Sequence, residues 1–508
     1  MSQSSNNSSE AKWLPNVGDL LFVGVVHLLL FMRPNYLYSD GSTGWHIVSG
    51  LHILKTGLIP HSDIMSYTFA GKPWVAYEWL SDYFMACLVK VGGLSMLAAF
   101  WAISLASLVL LLYQRMRSFG CHFAPAMFFS IIGLIASASH WLVRPHLFTF
   151  FGVFLFYTKL EDYYRGKLTG RALFLWLLPC MVIWVNTHPA FLLAYAISAL
   201  YLLVTACGVA LGRRAGGRPV LVLAALLLAL VLVSFINPYG VTLYQYIAEY
   251  LKGTAILSVT DEFKIPDFKH SIHAVFLEIL FASILVGAYL RGRLTATTTA
   301  MLLAFGHLAL NAVRNISLFA IVALPALGSL FGSAVFSPAK DSWLGRLYER
   351  MRSATAEFNK QEALSKYHIL PLVYSLIIFA GAGFGGFVKS DFDAEVQPST
   401  TLQYIREHKL SRAKGFNLDN WGGLLRYKLD QPVFIDDRAD FYGADFYNRY
   451  GLICETRNGW RPVFDQYNFD WVLFPKDSAL VQELRKDPLW REACQDQAAV
   501  LLVRTSLF

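Results

Sequence analysis

The stretch Tyr38–Thr68, which reads "YSDGSTGWHIVSGLHILKTGLIPHSDIMSYT", concentrates polar side chains directly after the first long apolar run. It contains Asp40, His46 and Asp63, and Glu78 follows shortly after it. A positioned carboxylate or imidazole can accept a proton from an attacking hydroxyl group. The residue types in this stretch therefore indicate general acid–base chemistry on a hydroxyl.

Arginine, histidine and asparagine recur after later apolar runs. Three short motifs carry them: "HWLVRPH" with Arg144 and His146, "WVNTHP" with Asn186 and His188, and "HLALNAVRN" with Arg314 and Asn315. Arginine or protonated histidine can neutralise the charge of a departing phosphate. Together with the carboxylates, these motifs favour transfer of a group that is carried on phosphate.

Composition defines the elements that must position these residues. The chain has 508 residues, of which 55% are hydrophobic and 15% charged, and its mean hydropathy is +0.44. These values exclude a soluble globular domain and predict a polytopic α-helical membrane protein. About eleven runs reach the roughly 20 apolar residues of a transmembrane helix, beginning near Val17, Leu94, Ala124, Pro145, Ala172, Phe191, Val220, Ile272, Thr297, Asn315 and Tyr367.

Charge in the connecting loops predicts the orientation. The basic loops are "YQRMRS", "KLEDYYRGKLTGR", "LGRRAGGR", "RGR" and Lys340–Lys366, and such loops collect in the cytoplasm. They place the N-terminus inside, and the Tyr38 loop and everything after about Val388 outside. The polar motifs, with Asp261 and Glu262 in "DEF", then fall on the outer face, where they are predicted to converge on one cavity, because charged groups at membrane depth are costly.

Three regions are predicted along the chain. Residues 1–12 form a disordered cytoplasmic tail, residues 13–389 a transmembrane module with a first periplasmic loop at 34–92, and residues 390–508 a soluble periplasmic α/β domain. In that domain "PVFIDDRAD" and "FDWVLFP" are predicted strands, and "TLQYIREHKL" and "ALVQELRKDPLW" are predicted helices. A disulfide between Cys454 and Cys494 is left open.

An acidic group follows the first of these strands, a position where ligands often bind in α/β folds. Its charged members are Asp436, Asp437, Arg438 and Asp440. Acidic surface loops are also common, so both a functional and a purely structural interpretation are kept.

The run from Asp40 to Ser81 resembles the opening loop of a group of uncharacterised bacterial proteins in the GT-C superfamily of integral-membrane glycosyltransferases. The positions that carry the resemblance are Asp40, Trp45, His46, Gly50, Pro60, Asp63, Ser66, Tyr67, Thr68, Glu78, Trp79 and Leu80. The later motifs "RPHLFTF", "WVNTHPAF", "NPYG" and "VRNISLFAIVALP" fit the same group, and "NWGGLLRYKLDQPVFIDDRADFYG" extends it into the tail. Members of the superfamily take sugars from polyprenyl-phosphate carriers and keep a catalytic Asp or Glu in the first outside loop.

The resemblance implies that Asp40 is the general base. From their chemistry and their side of the membrane, His46 is predicted to orient or charge-balance Asp40, and Glu78 to hold the acceptor. The predicted substrate-binding residues are Arg144, His146 and Arg314, which are assigned to the lipid phosphate, together with Asn186, His188 and Asn315.

Ser42 departs from the family pattern, because such loops often carry a second Asp two residues after the first. A two-carboxylate metal site is therefore not predicted. No cofactor is predicted either, and a divalent metal beside Asp40 is left open.

The predicted function is transfer of a sugar from a polyprenyl-phosphate carrier to an acceptor hydroxyl, by an inverting enzyme in the bacterial inner membrane. The acceptor is a protein, lipid or polysaccharide, and the bilayer is the other partner. The net charge of +8 is explained by the inside loops, so no nucleic-acid partner is predicted. Two alternatives remain, a transporter or flippase for a lipid-linked saccharide and a non-catalytic assembly factor for envelope polysaccharide.

Overall fold

The computed structural model describes residues 12–252, 261–290, 292–333 and 342–507. Nearly all of the predicted tail 1–12 lies outside these residues, as does the start of the basic segment at Lys340. The membrane region contains the helices α1 (Val17–His27), α2 (Thr43–Thr56), α3 (Trp79–Ser118), α4 (Phe123–Ser137), α5 (His146–Tyr164), α6 (Gly170–Val185), α7 (Leu192–Ala210), α8 (Arg218–Val233), α9 (Val241–Lys252), α10 (Ile272–Tyr289), α11 (Ala296–Asn311), α12 (Ile316–Ser333), α13 (Trp343–Leu364) and α14 (Ile369–Ala380).

The chain is a multi-pass membrane protein. Among the described residues, six helical segments are long and apolar enough to cross a bilayer: Trp79–Ser118, Phe123–His140, Gly170–Thr187, Pro189–Ala210, Ile272–Tyr289 and Val313–Ser333. A bent helix pair, Gly345–Leu364 with Ile369–Gly385, makes a seventh if the two helices together form one span. The predicted helical membrane class is confirmed, whereas the count of about eleven spans is not confirmed. Several of the predicted runs form apolar helices that are too short, such as Arg218–Val233.

Helix α3 changes character within its length. Its backbone is non-helical at Gly92 and Gly93, and Gly93 has φ of 66°, a conformation that glycine adopts without steric cost. The kink separates an initial stretch, which carries Asp82, from the apolar run that begins at Leu94. The apolar run that the sequence predicts from Leu94 begins directly after this kink.

The basic loops lie together at one end of the helices. Arg115 at the end of α3 forms an ion pair of 2.7 Å with Asp162 of α5. Arg117 pairs with Glu362 of α13 at 2.6 Å. The start of α3 lies at the opposite end, which we call the site end because it carries the residues described below.

The C-terminal region is an α/β unit, as predicted. Its strands are β1 (Gly415–Asn417), β2 (Trp471–Pro475), β3 (Trp490–Gln495) and β4 (Ala499–Arg504), in the sheet order β1-β2-β4-β3, with β1 parallel to β2 and the other pairs antiparallel. Its helices are α15 (Thr400–Glu407), α16 (Asp419–Leu429), α17 (Ala439–Cys454), α18 (Trp460–Asp465) and α19 (Ala479–Leu484). Cys454 and Cys494 are free thiols.

The prediction of a strand in "PVFIDDRAD" is wrong, because this segment adds no strand to the sheet. Val433 forms only an isolated parallel bridge, and its partner is Ser66 of the first loop rather than a strand of the sheet. The Tyr67 hydroxyl donates to the Gly415 carbonyl at 2.9 Å, and Tyr67 packs against the core of the unit. The C-terminal unit is therefore joined to the first loop by backbone and side-chain contacts.

Two glycines allow the first loop to approach α16 closely. A Cβ atom at Gly41 would lie 1.8 Å from the carbonyl oxygen of Asn420, and one at Gly44 would lie 2.2 Å from that of Gly423. Because backbone atoms occupy the space, only glycine fits at these two positions. This close contact brings the start of α2 beside the residues that follow α16.

Candidate functional site

Asp40 lies between a short 3-10 turn, Tyr36–Tyr38, and helix α2. Its Oδ1 atom accepts hydrogen bonds from the Ser42 backbone N–H at 2.8 Å and from the Ser42 hydroxyl at 2.5 Å. Its Oδ2 atom forms an ion pair with Arg144. Both oxygens of the carboxylate are therefore already bound by donors.

Arg144 joins carboxylates from three distant parts of the chain. Besides Asp40, it pairs with Glu262, which lies in the 3-10 turn Asp261–Phe263, and its Nη2 atom lies 3.3 Å from Oδ2 of Asp437. One guanidinium thus faces three carboxylates. Burial favours the uncharged form of Glu262, yet Arg144, with His140 and Arg314 nearby, lowers the pKa of Glu262 to about 2.

Asp437 enters this cluster from the C-terminal unit, just before α17. The Trp45 indole N–H donates to its Oδ1 atom at 3.0 Å, and the Ser42 hydroxyl contacts its Oδ2 atom. Burial raises the pKa of Asp437 to about 8, and the neighbouring Asp40 adds to this rise, while Arg144 opposes it. The C-terminal unit therefore supplies a carboxyl group to the same cluster as the first loop.

A second group of ionisable side chains surrounds Glu78, which is buried. The Oε2 atom of Glu78 lies 4.0 Å from Nδ1 of His46, and its Oε1 atom lies 3.7 Å from Nε2 of His188. These distances exceed a hydrogen bond, so the carboxyl group is left without one among the described residues. Burial, with the nearby carboxylates of Asp82 and Asp440, raises the pKa of Glu78 well above its ordinary value.

His188 is held in one tautomer by its neighbours. Its Nδ1 atom accepts from the Ala190 backbone N–H at 3.2 Å and lies 2.9 Å from the Thr149 hydroxyl. The Trp184 indole donates to that hydroxyl at 2.9 Å, which leaves the hydroxyl proton for His188. Because Nδ1 accepts, Nε2 carries the proton of the neutral ring, and it faces Glu78.

His140 and His146 lie beside Glu262. Nε2 of His146 donates to the His140 carbonyl at 2.6 Å. Both ring nitrogens of His140 are buried and have no hydrogen-bond partner in the described part of the chain, and its Nε2 atom lies 4.0 Å from Glu262. The two ring nitrogens of His140 are therefore available to hydrogen-bond to a ligand.

Arg314 is the arginine with the fewest protein contacts at the site. Its guanidinium lies 4.5 Å from the ring centre of Phe263, next to Glu262. Within the described residues its side chain forms no ion pair or hydrogen bond. Within the described part of the chain, Arg314 can therefore bind an anion without first breaking an ion pair or hydrogen bond.

Two of the predicted substrate-binding residues have amides that are bound by the protein. Nδ2 of Asn186 donates to the carbonyls of Val182 and Ile236, both at 2.8 Å, and its Oδ1 atom accepts from the Trp79 indole at 2.9 Å. Nδ2 of Asn315 donates to the Leu308 carbonyl at 3.0 Å. These contacts hold the ends of the helices in place.

Asp63 is not part of either group. It forms a buried ion pair of 2.7 Å with Arg438 of the C-terminal unit, and Arg438 also pairs with Asp436. His307 and Asn311 remain exposed and hydrogen-bond to each other. Of the outer-face motifs in the sequence, the structure thus brings together those around Asp40, Glu78, Arg144, His188, Glu262 and Arg314.

Sequence reasoning missed the partners of these residues. Asp82, which hydrogen-bonds to His46 at 2.7 Å, stands four positions after Glu78 and is absent from the predicted site residues. Ser42 was noted only for the Asp that it replaces. Asp437 had one signal, its position after an apolar segment of the tail.

The positive charge that faces the clustered carboxyl groups comes from an arginine side chain. Arg144 lies between Asp40, Glu262 and Asp437, where a bound cation would have to sit. No group of three or more His, Cys, Asp or Glu side chains in the described ranges is arranged to hold a metal ion. The residues present therefore do not fit a divalent metal in this arrangement.

The sequence matches no family model and no curated protein. Its structure is similar to the Archaeoglobus fulgidus oligosaccharyltransferase in the apo form, with a TM-score of 0.57 at 13% identity over 90% of this chain and 69% of that one. It is also similar to the oligosaccharyltransferase AglB of the same organism in complex with an inhibitory peptide and a dolichol-phosphate, with a TM-score of 0.56 at 12% identity over 90% and 68%.

A further similar structure is ArnT from Cupriavidus metallidurans in the apo state, with a TM-score of 0.51 at 13% identity over 95% of this chain and 97% of that one. These proteins are GT-C glycosyltransferases. The chain therefore has a GT-C-like fold, and the fold that the first loop predicted is confirmed. At such low identity the similarity shows the fold alone, and the reaction has to be inferred from the residues of the site.

Proposed function

We propose that the protein is a membrane glycosyltransferase that moves a sugar from a polyprenyl-phosphate carrier to an acceptor hydroxyl. The observation that carries this proposal is the meeting of acid–base groups and two arginines, Arg144 and Arg314, at one end of a GT-C-like bundle. A similar structure contains a dolichol-phosphate, which supports a lipid-linked donor. We further propose that the site end faces the periplasm across a bacterial inner membrane, since the basic loops lie at the other end.

In the proposed reaction the acceptor oxygen attacks the anomeric carbon of the sugar. The bond between that carbon and the phosphate oxygen breaks, its electron pair leaves with the phosphate, and inversion results from this single displacement. A side chain takes the proton of the hydroxyl. Asp40, His46 and Glu78 are the proposed catalytic residues, and one of them takes the proton of the hydroxyl.

The phosphate is proposed to bind at Arg314 and Arg144, with His146 beside them. Arg314 has no carboxylate partner among the described residues and sits over Phe263, so it is the first contact for an incoming anion. Arg144 is bound by carboxylates and adds charge when one of them is displaced. The remaining proposed substrate-binding residues are Asn186, His188 and Asn315.

The proposal also covers the domains. Residues 13–389 form the membrane module with its loop at 34–92, and residues 390–508 form the periplasmic unit that supplies Asp437. The acceptor is a protein, a lipid or a polysaccharide. The C-terminal unit, whose Asp437 touches the first loop through Ser42, is placed to contact it.

The test uses the full-length protein in nanodiscs with a panel of polyprenyl-phosphate sugars. We expect the wild type to consume one donor and to release polyprenyl phosphate, as measured by mass spectrometry. We expect Asp40→Asn to be slower by about 10²–10³-fold, since it removes a charge that holds Arg144 and the Ser42 hydroxyl in the site. Asp430→Asn is the matched control, because Asp430 is an exposed carboxylate with a φ of 52° that Asn also tolerates.

Three results would count against the proposal. The wild type could leave every donor intact, or Asp40→Asn could work as fast as the control. The third is movement of an intact lipid-linked sugar across sealed vesicles without its consumption, which would favour a transporter instead.

Arg314→Gln separates donor binding from catalysis. We expect the KM for the lipid-linked donor to rise by about 10- to 100-fold, because a charge-assisted contact to phosphate is worth about 1.5–3 kcal/mol. Thermal stability should stay unchanged, since the guanidinium has no ionic partner in the described residues. Arg293→Gln, an exposed arginine at the basic end, is the control, and an unchanged KM in Arg314→Gln would remove Arg314 from the phosphate site.

A further inference from the structure

His46 and Asp82 form a buried pair where α2 and α3 cross. Nδ1 of His46 lies 2.7 Å from Oδ1 of Asp82, and both side chains are almost fully buried. The pair depends on Gly50, because a Cβ atom there would lie 1.9 Å from the Asp82 carbonyl oxygen. A glycine on α2 thus lets the two helices come close enough for the imidazole and the carboxylate to meet.

The Asp82 carboxyl group orients the His46 ring. With Asp82 ionised, the carboxylate only accepts hydrogen bonds, so the Nδ1 atom of His46 carries the proton and donates it to Asp82. The lone pair of the neutral ring is then on Nε2. That atom forms no hydrogen bond with the part of the chain that the structure describes.

We infer that His46 is the residue that takes the proton of the acceptor hydroxyl, and that Asp82 positions its ring for this step. The inference rests on the glycosyl transfer proposed above and assigns the base to His46 in place of Asp40. The proton moves from the hydroxyl to Nε2 as the oxygen attacks the anomeric carbon. The phosphate leaves with the electron pair of the broken bond, and the imidazolium later returns its proton to water.

The two carboxyl groups near His46 are less suited to this step. Asp40 accepts two hydrogen bonds from Ser42 and an ion pair from Arg144, which occupy both of its oxygens. The raised pKa of Glu78 favours its uncharged form, which donates a hydrogen bond to the acceptor instead of taking a proton. Of these three groups, His46 is the one that combines an orienting partner with a lone pair that accepts no hydrogen bond from the described residues.

The protonation state of His46 agrees with this role. Burial lowers the pKa of His46, and Asp82 only partly offsets that effect. The ring is therefore neutral at pH 7, with its Nε2 lone pair available. The charged and titratable groups around the ring, on all the segments packed against it, are Asp40, Glu78, Asp82, Arg144 and His188.

The test is the pH dependence of kcat/KM for the full-length protein in nanodiscs, from about pH 5 to pH 8. A base must be unprotonated, so wild-type activity should fall only below the lowered pKa of His46 and stay level at higher pH. We expect the rate of His46→Gln to be about 10²–10⁴-fold lower. Its kcat/KM should also no longer show the fall at low pH, which we call the acid limb of the profile. His52→Gln, on the same helix and only half-buried, should match the wild type.

Asp82→Asn tests the positioning role. Removing the carboxylate that raises the pKa of His46 should move the acid limb to lower pH, and the rate should fall at every pH. A purely structural Asp82 would lower the yield of folded protein without moving the limb. His46→Gly adds a chemical test, because added imidazole should restore part of its activity if a base alone is missing.

The outcomes separate this inference from the proposed function. A wild type that consumes no lipid-linked sugar overturns the function. A wild type that is active while His46→Gln keeps its rate and acid limb overturns only the role of His46. If His46→Gln does not fold, Asp82→Asn provides the test. An acid limb at the same pH in Asp82→Asn as in the wild type would overturn the inference.

Discussion

Arg144→Gln is expected to abolish sugar transfer and to destabilise the site end of the protein. The substitution leaves Asp40, Glu262 and Asp437 facing one another without their shared cation. Breaking one partner out of a buried ion pair costs about 3–5 kcal/mol, and the partial exposure of these side chains favours the lower end of that range. Activity is lost as well, because the position of Asp40 and the binding of the phosphate both depend on this guanidinium.

Two measurements check this expectation, thermal unfolding and donor consumption of the nanodisc-embedded protein. Arg485→Gln is the control, since its pair with Glu492 is largely exposed and exposed pairs contribute about 0.2–1 kcal/mol. An Arg144→Gln variant with control-like stability and turnover would show that the three-carboxylate cluster does not organise the site.

The loss of stability in Arg144→Gln should depend on pH with a defined sign. Glu262 has a folded-state pKa of about 2, below its unfolded value of about 4.3. Its charged form thus stabilises the folded protein above pH 4.3, and this contribution is lost as the pH falls toward 2. Because Arg144 causes the lowering of the pKa, the difference between wild type and variant should shrink over that window.

Local sequence patterns were sufficient for the membrane class, the basic end and the first loop. Hydropathy and the positions of Lys and Arg depend on neighbouring residues, and the first loop carries its own motif. The number of spans was harder to predict, because an apolar run such as the one at Val220 becomes a helix of only 16 residues, Arg218–Val233. Whether such a helix crosses the bilayer depends on its tilt and neighbours, which hydropathy does not contain.

The partners within the site could not be read from the chain. Asp437 reaches Ser42 from 395 positions away, and no periodicity links two residues at that distance. Asp82 is close to Glu78 in sequence, but its contact with His46 requires the close crossing that Gly50 permits. The residue types in the loops near the membrane therefore predicted candidate site residues. Tertiary packing determines which of them form hydrogen bonds or ion pairs with one another.

Arg438 shows how strongly the C-terminal unit and the first loop depend on each other. Its guanidinium donates to Asp63 and Asp436, each at 2.7 Å, and both carboxylates are fully buried. It also lies 4.5 Å from the ring centre of Trp74 and 4.7 Å from that of Phe441. The contact spans the interface next to Asp437, so it fixes the position of that carboxyl group in the site.

We expect Arg438→Gln to lower the free energy of unfolding by about 3–5 kcal/mol, because it leaves two buried carboxylates unpaired. Limited proteolysis should then cleave the C-terminal unit more readily, and sugar transfer should fall as Asp437 loses its fixed position. Arg457→Gln is the control within the same unit, since Arg457 and its partner Glu455 are both more than half exposed.

The double variant Asp63→Asn with Arg438→Gln tests whether Arg438 stabilises the protein by neutralising Asp63. If Arg438 acts by neutralising Asp63, removing the charge of Asp63 as well should recover part of the stability that Arg438→Gln loses, since the unpaired buried charge is gone. Additive losses would mean that Arg438 acts mainly through Asp436 and the aromatic rings. In that case the first loop and the C-terminal unit would be joined by packing more than by charge, and Asp437 should stay in place when Asp63 is neutralised.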